Sequence, residues 1–121
     1  MSGWIQAAES ALASVKAQTG VPYDFERFEG EPSQLPDSFM VYFLVSNPAK
    51  AWYDGAESSA EARVQASFYY RQKADILKMP EIIIAAFKEA GFTRAGEGRV
   101  PYQKDTGHYG WRCNFNYYEK R

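Results

Sequence analysis

The sequence predicts an α+β protein, in which an antiparallel sheet of about five strands carries an N-terminal helix and a second helix packed on one face. Three observations lead there. Apolar residues recur at helical spacing in two stretches and alternate with polar ones in several others. The segments between are short and rich in turn-forming residues. Short connections favour antiparallel neighbours.

The first helix runs from Ser2 to about Gln18. Trp4, Ile5, Ala8, Leu12 and Val15 fall on one stripe, Ser2 suits the N-cap, and Gly20 stands where a helix-ending glycine is expected. From Val21 to Glu29 the pattern becomes alternation, with Tyr23, Phe25 and Arg27 opposing Asp24, Glu26 and Phe28; this reads as a short strand. Gly30-Glu31-Pro32-Ser33, extended by Pro36, makes a loop. Ser38–Ser46 is a second strand. Phe39, Val41, Phe43 and Val45 face one way and Met40, Tyr42 and Leu44 the other, so it is expected to be central and covered on both sides.

Asn47-Pro48 ends that strand, and the small, polar stretch to Ala60 reads as a loop or hairpin arm carrying Trp52-Tyr53-Asp54-Gly55. The third strand, Glu61–Arg71, sets Val64, Ala66, Phe68 and Tyr70 against Arg63, Gln65, Ser67, Tyr69 and Arg71. The second helix lies within Asp75–Ala90. Proline is tolerated only in a helix's first turn, so Pro80 places the continuous part from Lys78 or Met79, after a turn at Ala74–Leu77. Ile83, Phe87 and Ala90 share a face, Gly91 is the expected residue after the cap, and Phe92 packs back on the last turn. Two strands close the chain, at about Thr93–Gln103 (interrupted by Gly96 and Gly98) and His108–Glu119. Lys104-Asp105-Thr106-Gly107 joins them as a turn. In the last strand Trp111, Cys113, Phe115 and Tyr117 face the core, and Arg112, Asn114, Asn116 and Tyr118 face out.

At 121 residues the whole chain fits one domain, large enough to bury a core without disulfides or metal. Hydrophobic residues at 45% and charged residues at 24% argue against disorder. A net charge of −1 without a basic block argues against nucleic-acid binding by bulk charge. The single Cys113 fits a reducing compartment. No apolar run approaches the roughly 18 residues needed to span a membrane, and the N-terminus lacks the features of a signal peptide, so synthesis in the cytosol is expected.

Candidates for chemistry are few. His108 is the only histidine, and a histidine in a turn reads first as a surface or hydrogen-bonding residue. Cys113 reads as a small buried hydrophobe, on the strand face opposite His108. No metal-ligand spacing appears, Gly96-Glu97-Gly98 is too short for a phosphate loop, and no cofactor is expected. The acidic residues Asp54 and Glu57, and Glu26, Glu29 and Glu31, read as solvated loop charges. Aromatics in a polar context stand out instead: Trp52 and Tyr53 in the arm, Tyr109 after a turn, Tyr69 and Tyr118 on polar strand phases. With Arg63, Arg71 and Arg112 in the same phases, they read as an interface, against the alternative that a further layer covers them.

Trp52-Tyr53-Asp54-Gly55, Val64-Gln65-Ala66-Ser67-Phe68-Tyr69-Tyr70, Ala90-Gly91-Phe92 and Tyr102-Gln103-Lys104-Asp105-Thr106-Gly107-His108-Tyr109 together resemble the tail-terminator, or tail-completion, proteins of long-tailed phages and prophages. The similarity runs from about Val21 to the C-terminus. It implies a non-enzymatic subunit of the virion tail, made in the host cytoplasm. That subunit forms a ring, typically a hexamer, on the tail-tube protein, ends tube growth and meets the head–tail connector proteins. It implies no cofactor, no membrane and no sequence-specific nucleic acid. Ring contacts are then expected from the Ala49–Ala60 arm, through Trp52, Tyr53 and Asp54, and from the Lys104–Tyr109 turn, through Lys104, Asp105, His108 and Tyr109. The alternatives are a monomeric protein- or peptide-binding module, another head–tail connector component, or a small enzyme using His108 with a carboxylate such as Asp105.

Overall fold

The computed structural model describes residues 3–27, 30, 34–46 and 59–120. The expectations for Ser2, Trp52, Tyr53, Asp54 and Glu57 lie outside them. The order is α1 (Gly3–Thr19), β1 (Tyr23–Phe25), β2 (Ser38–Ser46), β3 (Ser59–Tyr70), a 3-10 turn (Lys73–Leu77), α2 (Met79–Glu89), β4 (Thr93–Gln103) and β5 (His108–Lys120). The strands form one sheet in the order β1-β2-β3-β5-β4. This is the expected α+β class, with two helices on a five-stranded, mostly antiparallel sheet.

The helices stop where local chemistry stops them. Gly20 follows α1 with φ +80°. Pro80 sits in the first turn of α2. At its end Gly91 adopts φ +104°, which lets the Phe92 amide return to the Phe87 carbonyl at 2.9 Å. The Phe92 ring then meets Phe87 edge-on, centroids 5.0 Å apart.

Both helices cover the same sheet face. Their buried residues, including Trp4, Leu12, Val15, Ile83 and Phe87, pack on Met40, Tyr42, Val64, Ala66, Phe68, Trp111, Cys113 and Phe115. Register makes those strand residues contiguous: Met40, Phe68 and Trp111 form one row, and Tyr42, Ala66 and Cys113 the next. At the edge Tyr23 and Tyr42 both donate their hydroxyls to the Glu9 carboxylate, tying β1 and β2 to α1. Burial first, and then that carboxylate, holds the Tyr42 phenol above its usual value.

Two features differ from the sequence expectation. β1 spans three residues rather than nine and runs parallel to β2. Residues 26–37 give the chain the dozen or so residues that a parallel return needs. β1 ends because Glu26 takes φ +68° and Arg27 donates back to the Phe25 carbonyl at 2.7 Å, a γ-turn of the rarer, strained hand. β2 itself is covered on both faces over its first half, as expected: the helices pack on Met40 and Tyr42, and Phe39 and Val41 on the opposite face are buried as well.

Cys113 is fully buried, and burial, helped by the nearby Glu97 carboxylate, pushes its thiol up to about 11. A water-soluble disulfide reagent at pH 8 is therefore expected to label the native chain only as fast as it unfolds; immediate labelling of the folded protein would contradict this burial. The thiol's contribution to pH-dependent stability is complete below its ordinary 9.0 and is lost as pH rises towards about 11, because the unfolded thiol ionises first.

Candidate functional site: a pocket on the open sheet face

The sheet face away from the helices divides in two. Over β3, β5 and β4 it is polar: Gln65 lies opposite Asn114 and Arg63 opposite Asn116, with a 2.9 Å bond from Arg63 Nε to the Asn116 side-chain oxygen. Towards β2 it is apolar and hollow. There a pocket of about 210 Å³ has Phe39, Val41 and Phe43 of β2 and Ser67 and Tyr69 of β3 as its lining. Glu26 and Arg27 approach from the γ-turn, Leu35 from the segment before β2, and Gln103, Thr106 and His108 from the β4–β5 turn. Phe39 and Tyr69 stack at 5.2 Å, and the Phe39 ring meets His108 nearly perpendicular at 5.0 Å.

His108 explains how residues so far apart in sequence meet. Its side chain is 1% exposed. Nε2 lies 2.8 Å from the Pro36 carbonyl oxygen, which only accepts, so Nε2 carries the proton. Nδ1 is buried and has no hydrogen-bond partner among the described residues. Among the described residues neither ring nitrogen bonds a carboxylate, so the pairing of His108 with Asp105 weighed from sequence is not formed.

Arg71 fixes the same junction from the side. Its Nε donates to the Thr106 carbonyl at 3.0 Å, and one terminal nitrogen donates to the Leu35 carbonyl at 3.2 Å and the Asp37 carboxylate at 2.9 Å. The Asp37 side chain is 70% exposed, so the ion pair itself contributes little. The two carbonyl bonds matter more, because they join the pre-β2 segment to the β4–β5 turn. Arg71→Ala is expected to lower stability by about 1 kcal/mol and to speed amide exchange in residues 34–37 and 104–107 above all. Uniform exchange changes across the sheet would contradict this local role.

The expected interface residues separate. His108 lines the pocket, but buried rather than on the surface, because the turn tucks beneath Pro36. Lys104 and Asp105 are exposed on that turn. Tyr109 points to the helix side, half-buried, stacked on Tyr70 at 5.6 Å and near Tyr102 at 5.0 Å; strand alternation sends it away from its neighbour His108. Tyr69 is a pocket wall, and Tyr118 is 57% exposed. Sequence reasoning did not mark Phe39, Val41, Phe43 or Leu35 as site residues. The one available signal was that β2 is apolar on both faces. Among the described residues no cluster of three metal-ligating side chains occurs, and no helix is long and apolar enough to cross a membrane. No protein-family model matches the chain, and no curated protein matches it.

Proposed function

We propose that the protein is a structural assembly subunit that forms a homo-oligomeric ring, acting as a tail terminator that caps the tail tube of a long-tailed phage and meets the head–tail connector. The observation that carries this reading is the two-sided sheet: helices seal one face, and the other offers an aromatic-walled pocket beside a polar surface. Closed rings need such a heterologous contact, in which one patch meets a different patch of the next subunit. Apolar, aromatic centres bordered by polar rims are the usual anatomy of protein contacts. The resemblance of the β3 segment and the Asp105–Tyr109 turn to terminator proteins supports this reading of its station.

The test is solution mass by light scattering over a range of concentrations, with negative-stain imaging of the largest species alone and after mixing with tail tubes. A ring with a central hole, alone or on tube ends, is the expected result. Monomers that also ignore tail tubes would remove the proposal. A second reading, a monomeric peptide-binding module, is favoured by β4, an edge strand that pairs only with β5 and is exposed along most of its length. Pro101 and two register shifts weaken that edge as a template for a partner strand.

A further inference from the structure

We draw no further inference here: the strongest candidate, the open cleft of about 420 Å³ lined by Arg99, Val100, Pro101, Tyr102 and Tyr109 where β4 runs into the β4–β5 turn, is a partly exposed aromatic face, and nothing in the structure shows what covers it.

Discussion

Replacing Phe87 by alanine is expected to destabilise the fold by about 3–5 kcal/mol. Phe87 is fully buried where the second helix meets the sheet. Its ring stacks on Phe115 with centroids 4.3 Å apart and planes within 7°, and Phe92 closes the cluster edge-on. Truncation removes the apolar surface that docks α2 and leaves a hole walled by two rigid rings, which collapse poorly. Domains of this kind have about 5–15 kcal/mol in total, so the loss is a large share. At this chain length it corresponds to a melting temperature lower by about 10–20 °C. Thermal and urea unfolding measure it, and Phe87→Leu should recover much of the loss. A change below about 1 kcal/mol would show that the α2–sheet contact is not the centre of the core.

Gly110→Ala, a change of one methyl group, is expected to cost about 1–3 kcal/mol. Gly110 lies in β5 between Tyr69 of β3 and Val100 of β4. A Cβ there would stand 2.5 Å from the Val100 Cβ and 3.2 Å from the Tyr69 ring. The Val100 Cβ is fixed to the strand backbone and cannot swing aside. The damage should therefore appear in two readouts. Stability falls, and the β4–β5 ladder near Val100 exchanges its amides faster. Combining Gly110→Ala with Val100→Gly removes the tighter clash and should restore part of the stability. Equal stability of the single variant and the wild type would mean that the two strands separate at no cost.

The features legible in the sequence were those set by neighbours along the chain. Pro80 and Gly91 bound α2 because each acts on its own backbone. The phases of β3 and β5 followed from alternation, since a pleated strand sends successive side chains to opposite faces. The limits of β2 and β4 were read for the same reason, from Asn47-Pro48 and from the turn chemistry at Lys104–Gly107. Less legible was anything that joined distant segments. His108 and Pro36 are 72 residues apart, and no local pattern says that this histidine tucks under that carbonyl. Tyr109 illustrates the limit from the other side: its place after a turn suggested exposure, yet it stacks on Tyr70, across the β3–β5 ladder.

The sequence by itself determined the α+β class, the helix ends and which strand residues face the helices, because periodicity, proline and glycine act within a few residues. Only the tertiary structure decided that β1 runs parallel and that Phe39, Tyr69 and His108 converge on a pocket. Those outcomes depend on strand order and on which loops cross the ends of the sheet, and both are set by burying the whole apolar surface at once.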